Sequence, residues 1–421
     1  MNNAFRRLAL LASVSLPSLG YAAHAASATN PGISQFDFGD PVNDTLTICD
    51  IGDDCDFGTT ADKGSIAQAS LIDTAHGQIN QTGIGVGTGA DVVLDIGNHG
   101  NADFSAIASA QGTSIASAIA IAATPISQLG QANGDVDLNF ANDGSVSIAA
   151  SAHAEGRTAL AQGMVDGAIH QQAISIGQGD VHFGLSNSGD ISVAALAAAN
   201  GEGNAVATAV VTSAIAMRGV AVGGNAAATA TNSGSIAIDA HALANAGGAV
   251  SSAHATTAVA VVSHGVVEHG DAGFEASALF NNEGSIAIHA SAEAAGPGGI
   301  VATRSGFTSA DGPTAFALIT AGVDQTAQSF GGGNAMANLV NDGTVDVGAN
   351  ALVHSSGIGN ALAIALDFNG IEQTAIAWGQ DNAVATLSNA GTLAVSVSAS
   401  AVADDVRGRV SGVAASASAQ Y

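Results

Sequence analysis

Positive charge is what this sequence has least of: its 421 residues carry 8 Lys and Arg against 35 Asp and Glu, a formal net charge of -27. A surface that acidic repels nucleic acid and anionic lipid unless divalent cations bridge the charges, so nucleic-acid binding is set aside first. Aromatic residues are 4% and Trp occurs once, so the bulk that fills an ordinary globular core is missing. Charged residues of both signs amount to 10% while hydrophobic residues reach 47%, the reverse of a disordered chain. Long apolar runs are absent beyond the first residues. Ala118 to Ala123 and Ala258 to Val262 are soon interrupted by polar residues and are too short to be membrane helices.

The chain opens with an export signal. Arg6 and Arg7 precede an apolar stretch from Leu8 to Leu19, and Ala23, His24 and Ala25 supply a small-x-small cleavage pattern. The mature protein is expected to start near Ala26, be exported through the inner membrane, and carry a formal charge of -29 once the two arginines are removed. Cysteine is nearly absent too. Cys49 and Cys55 are too few for a thiolate zinc site, and in an exported chain so close a pair is expected to form a local disulfide. Asp50, Asp53, Asp54 and Asp56 surround them and offer hard oxygen ligands for calcium, without the spacing or terminal Glu of an EF-hand. A solvated acidic cap is the alternative reading of the same residues, and no other cofactor is indicated.

What is present is a repeat. The phrase Asn-x-Gly, a small polar residue, then apolar-x-apolar-x-Ala-x-Ala begins at Asn98, Asn142, Asn187, Asn232, Asn282, Asn341 and Asn389, at intervals of 44, 45, 45, 50, 59 and 48 residues. About seven units of 44 to 59 residues therefore tile residues 78–404, behind a leader (1–25) and an N-terminal cap (26–77), and ahead of a C-terminal tail (405–421). Within a unit the apolar positions alternate strictly, as in Ile236, Ile238, Ala240 and Ala242, or Val345, Val347, Ala349 and Ala351. Period two places these side chains on one face of a β-strand. The intervening positions, among them Asp239, His241, His289 and Asp346, are polar and face solvent. Asn and Gly before each strand suit a left-handed corner, and stacked Asn side chains are positioned to hydrogen-bond from coil to coil.

A second signal, Ile-x-Gln, precedes the Asn phrase at Ile79 to Gln81, Ile126 to Gln128, Ile169 to Gln171 and Ile371 to Gln373, with Val323 to Gln325 close to it. Ile215 to Met217 and Val266 to Glu268 are degraded copies, and Ile33 to Gln35 opens a further, atypical unit. Each unit thus holds about three extended segments, arranged as one wide coil or two narrower ones. The fold class is all-β, an elongated parallel β-helix in which alanine lets opposing strands approach closely. A seven-bladed propeller has repeats of similar length but lacks support from periodic aromatic signatures.

Leu138 to Val146 and Leu339 to Val345 resemble the Leu-x-Asn-x-Gly-x-Ile phrase of filamentous haemagglutinin-like and autotransporter passenger repeats. That resemblance implies a right-handed β-helix at a Gram-negative cell surface or released from it, exported with an outer-membrane translocator, and it carries no catalytic residue set. Expected partners are surface components, an extracellular polymer, or further copies of the chain. The Ile-x-Gln and Gly-x-x-Asn-Ala elements are also similar in part to curlin repeats, which implies self-assembly into fibres.

Chemical motifs are sparse. His153, His241 and His289 fall at different offsets from the repeat Asn and show no ligand spacing. Gly85, Gly87 and Gly89 approximate a dinucleotide fingerprint, but Asp91 to Asp95 continues as a strand where a phosphate-binding helix would begin. Trp378, Phe330 and Phe368 are candidates for a sugar-binding patch, with core packing as the alternative. The expected role is structural or adhesive. The other reading is a polysaccharide-binding or polysaccharide-cleaving protein, which needs converging carboxylates.

Overall fold

The structure is a computed structural model that describes residues 78–247, 256–296, 299–302, 308–311, 313–355, 361–378 and 382–403. It also describes strands at 27–28, 34–39, 42–47, 54–62, 66–71 and 413–419. The described residues form an all-β parallel solenoid without helices, and each repeat makes one wide coil. Strand pairs join positions 44 or 45 residues apart in the regular part, as in Val136 with Val92 and Val181, so the period of the sequence is the period of the stack.

Each coil has four extended segments, one more than the spacing suggested. In the coil that starts at Ser145, a long segment runs to Gly156 and a return segment from Thr158 to Asp166, the register breaking between Gly156 and Thr158. A Gln segment, Ile169–Ser175, and an Asn segment, Val181–Asn187, complete the circuit. A glycine turn divides the Ile-x-Gln strand from the strand ending in Asn, so the two count as separate segments. The long, return and Gln columns belong to one sheet, and the Asn column forms a separate eight-stranded sheet.

The alternation seen in the sequence is the alternation of burial. Ile236, Ile238, Ala240 and Ala242 are all inside, as are Val345, Val347, Ala349 and Ala351. Alanine dominates where the long and return segments back onto each other, because two chains that close leave room for little more than a methyl group. Larger side chains, including Phe140, Phe183 and Phe280, gather in the Asn segment. Insertions accumulate at the turn between long and return segments. The longest unit carries a small antiparallel hairpin there, Gly299–Ala302 with Thr308–Asp311.

Two side-chain ladders run through the interior. The seven repeat asparagines are stacked, and from Asn98 to Asn341 each donates its Nδ2 to the Oδ1 of the next at 2.6–2.8 Å. The same amides reach backbone carbonyls of the following coil, as from Asn142 to Asp190 at 3.1 Å. A Gln ladder runs with opposite polarity: Gln128 donates to Gln81 at 3.0 Å, Gln171 to Gln128 at 2.7 Å and Gln373 to Gln325 at 2.8 Å. Each of these also bonds across the coil to the Asn segment, as Gln128 does to the Asn139 carbonyl at 3.1 Å. Met217 takes the next position in register after Gln171, and the Gln171 Oε1 is left buried without a partner. The degraded copy of the motif is therefore a break in the ladder. At the other end, Gln81 donates to Gln35 at 3.3 Å, and strands Ser34–Gly39 and Val42–Thr47 pair in parallel with the first repeat.

The corner chemistry differs from expectation. None of the repeat asparagines, nor the glycine two residues after each, has a left-handed φ. That conformation occurs instead between the return and Gln segments, at Thr124 (φ 44°), Gly167 (φ 59°) and Ser213 (φ 48°), and at Gly87, Gly89 and Gly332 between Gln and Asn segments. Glycine in Asn-x-Gly answers a different need. A Cβ on Gly189, Gly234 or Gly284 would lie 1.8–2.0 Å from the carbonyl oxygen of the equivalent glycine one coil earlier. The stacked backbones touch, and only hydrogen fits between them.

One inward position breaks the apolar rule. Asp367 follows Val211, Val262 and Ile319 in register at the end of the return segment, is 1% exposed, and has no partner for either carboxylate oxygen. Burial pushes its pKa up to about 6 from 3.8. The folded state therefore holds this proton more tightly than the unfolded chain, and its contribution to stability falls as pH rises from 3.8 through about 6. Asp367→Val is expected to raise the unfolding temperature at pH 8 and to leave it nearly unchanged at pH 4.5. Thermal unfolding of both proteins at the two pH values checks this, and an equal shift at both would refute it.

Candidate functional site

With the interior given over to ladders and alanine, the outer face of the long segment is where polar chemistry collects. Seven residues after each repeat Asn lies an outward column in which Ala194, Asp239, His289, Gly348 and Ser396 follow one another in register. His289 sits between two acids from adjacent coils. Its Nδ1 is 3.6 Å from Asp239 Oδ1 and its Nε2 is 3.4 Å from Asp346 Oδ2. At Gly348 the missing side chain lets the imidazole lean over the next coil, since a Cβ there would lie 3.1 Å from His289 Cδ2. Together with Leu196, His241, Ser291 and Asn350 these residues line an open trough across several coils.

The electrostatics follow from the stacking. The Asp239 carboxylate raises the His289 pKa above 6.5; partial burial opposes this, and Asp346 adds to it. The pairing stabilises the fold fully below pH 6.5, and its contribution is lost as pH rises through the folded-state value. Asp239→Asn removes the largest cause and is expected to lower the His289 titration midpoint in a histidine proton NMR titration. An unchanged midpoint would show that Asp239 is not the partner.

Two more histidines pair with an acid on the neighbouring coil: His99 with Asp143 at 2.8 Å and His182 with Asp137 at 3.1 Å. These contacts were missed in the linear reading because each histidine stands alone in its own segment. Counting residues from the repeat Asn reveals all three, since Asp239 and His289 share offset seven, His99 and Asp143 offset one, and Asp137 and His182 each precede their Asn by five. His153 and His241 lie in other columns and do not join His289. No three His, Cys, Asp or Glu side chains converge as metal ligands among the described residues. The trough offers hydrogen bonds and charge to a polar surface.

The other sequence candidates divide. Asn98, Asn142, Asn187, Asn232, Asn282, Asn341 and Asn389 come together in the Asn ladder, a structural array. Cys49, Asp50 and Asp53 lie outside the described residues. Asp54, Cys55 and Asp56 fall in strand Asp54–Asp62, but their side chains also lie outside what is described. Around Gly85, Gly87 and Gly89, strands Ile79–Gly85 and Val92–Asn98 flank a turn with left-handed φ at Gly87 and Gly89, as turn glycines require. Phe330 and Trp378 meet on the surface with ring centroids 6.4 Å apart, whereas Phe368 stands at the other end of the Gln segment. Compared with family models, characterised proteins and solved structures, the chain matches none.

Proposed function

We propose that this protein is an exported structural or adhesive element, similar in role to an autotransporter passenger, that presents one repeated surface many times along a solenoid. The observation that carries the reading is the division of labour within a coil. Ladders and alanine occupy the inside, and every depression described opens to solvent on a face or rim that the stack repeats. Such a surface suits weak contacts that sum through multivalency, and each turn of the stack adds another copy. The net charge of -27 keeps a long filament soluble and lets divalent cations bridge it to other anionic surfaces.

Surface labelling of intact cells, attachment assays with a deletion strain and a polysaccharide turnover screen test the proposal together. Labelled protein and impaired attachment or surface organisation are expected. Saturable turnover that disappears when one carboxylate pair is replaced, with attachment intact in the deletion strain, would favour a polysaccharide-active enzyme and overturn it.

A further inference from the structure

The turn between Gln and Asn segments forms one rim of the solenoid, and its side chains are unlike those of the other surfaces. Ile176, Val222, Phe330 and Trp378 each follow the last residue of a Gln segment, and Phe274 stands one place further along its turn. They are 52%, 62%, 54%, 60% and 53% exposed respectively, so none of them serves the core. Backbone hydrogen bonds from Val222 to Ser175, Phe330 to Ala272 and Trp378 to Ser329 hold the turns one above another. The turn backbones are packed so tightly that a Cβ on Gly331 would lie 1.8 Å from the Gly273 carbonyl oxygen. Glycine is thus forced on much of the rim, and the apolar chains are what projects from it. Single exposed apolar residues are unremarkable, but an apolar row with a member in each of five successive coils, two of them in ring contact, is the kind of feature that serves binding.

We propose that this ridge binds an extended, uncharged polysaccharide laid along the solenoid axis, with Phe330 and Trp378 as its main platform. The two rings lie 26° from parallel at 6.4 Å, too far apart for full face contact, and each residue stays more than half open. Flat apolar surface of this kind matches the C–H faces of a sugar ring. Coils repeat about every 4.8 Å, close to the length of one sugar residue in an extended chain, so successive residues meet successive turns. Hydrogen-bonding groups line the same rim: Asn225 accepts from the Glu275 backbone at 3.0 Å, Asn334 reaches Glu275 at 3.5 Å, and Asn382 follows Asn334 at 3.4 Å.

Charge selects among possible occupants. The segment between Gln and Asn strands contains no Lys or Arg in any coil, while Asp91, Asp135, Asp180 and Glu275 are acidic. A second copy docked rim to rim would set these carboxylates against their own kind, and a uronate or sulfated chain would meet the same repulsion. A basic peptide satisfies the charge, but the acidic depression that would take its side chains, lined by Asp91 and Asp135, lies at the first coils of the rim, away from the platform of Phe330 and Trp378. This deepens the display reading and rests on it only for the setting in which the ligand is met.

Trp378 is the only Trp in the chain, so its fluorescence reports directly on the platform. The full mature chain should be titrated with β-glucan, dextran and galactomannan as neutral probes, and with polygalacturonate and poly-lysine as charged ones. At least one neutral glycan is expected to shift the emission saturably, with polygalacturonate weaker. Phe330→Ala should weaken binding roughly tenfold, the equivalent of about 1.4 kcal/mol, with circular dichroism unchanged. Leu352→Ala, an exposed apolar residue on the long segment, should leave binding intact. Silence with all three neutral glycans, a preference for polygalacturonate or poly-lysine, or indifference to Phe330→Ala would overturn the proposal. Glycan binding by a protein that surface labelling fails to find outside the cell would keep this site and remove the display reading.

Discussion

Ile236→Asp is expected to destabilise its part of the stack by about 3–5 kcal/mol, the range for a buried charge without a partner. Ile236 is 1% exposed and lies between Ile191 and Ile286 in register, so the carboxylate would enter a continuous apolar column. Neither column neighbour offers a hydrogen bond. The matched control is Ala237→Asp, one residue along and facing outward, for which a change within about 0.5 kcal/mol is expected. In a solenoid the damage should be local at first, because a coil contacts mainly its neighbours. Hydrogen exchange should therefore show lost protection centred on the coils bearing Ile191, Ile236 and Ile286, beside a lowered denaturant midpoint. Equal costs for the two substitutions would contradict the assigned inside and outside.

That alternation was legible in the sequence because a strand face is a local property with period two. The repeat interval was legible too, but not whether one interval closes one coil or two, which only the strand register decides. In a solenoid the interval between repeated residues is the register shift between paired strands, so 45 residues from Asn142 to Asn187 became a direct hydrogen bond. The count of segments was less legible. Nothing local says whether a glycine turn folds back or carries straight on, so about three segments were counted where the coil has four. Three-dimensional facing was not legible at all. The bond from Gln128 to the Asn139 carbonyl crosses the interior between residues eleven apart, and only the path of the coil brings them together.

The candidate sites show the same divide. His289 looked isolated because both of its acids belong to other coils, 50 and 57 residues away in the chain. The apolar ridge was half visible: Phe330 and Trp378 stood out by type, but Ile176 and Val222 are unremarkable until the stack places them in one line. Asp367 gave no signal in the sequence, since an acid among apolar residues reads as an outward position until the register of Ile319 shows that it points in.

Gly234→Ala separates two physical accounts of the same conserved-looking phrase within the chain. Its φ is not left-handed, so backbone freedom alone predicts that alanine would stabilise by about 0.4–1 kcal/mol through the unfolded state. Stacking predicts the opposite sign. The added Cβ would lie 1.9 Å from the Gly189 carbonyl oxygen, and the neighbouring obstacles are backbone atoms that no side-chain rotation can move. The coils would have to part at the corner, straining the bonds from Ser235 to Gly189 and from Asn187 to Asn232, for a loss of about 3 kcal/mol or more. Gly167→Ala supplies the contrast, because that residue has φ 59° but its Cβ would come no closer than 3.1 Å to Thr124 Cγ2. Only the left-handed penalty of about 1–2 kcal/mol applies there. Denaturant unfolding of the two variants should therefore rank Gly234→Ala as the more damaging. The reverse order would mean that the Asn-x-Gly corner relaxes by separating its coils at little cost, and that contact between stacked backbones is not what requires glycine in every repeat.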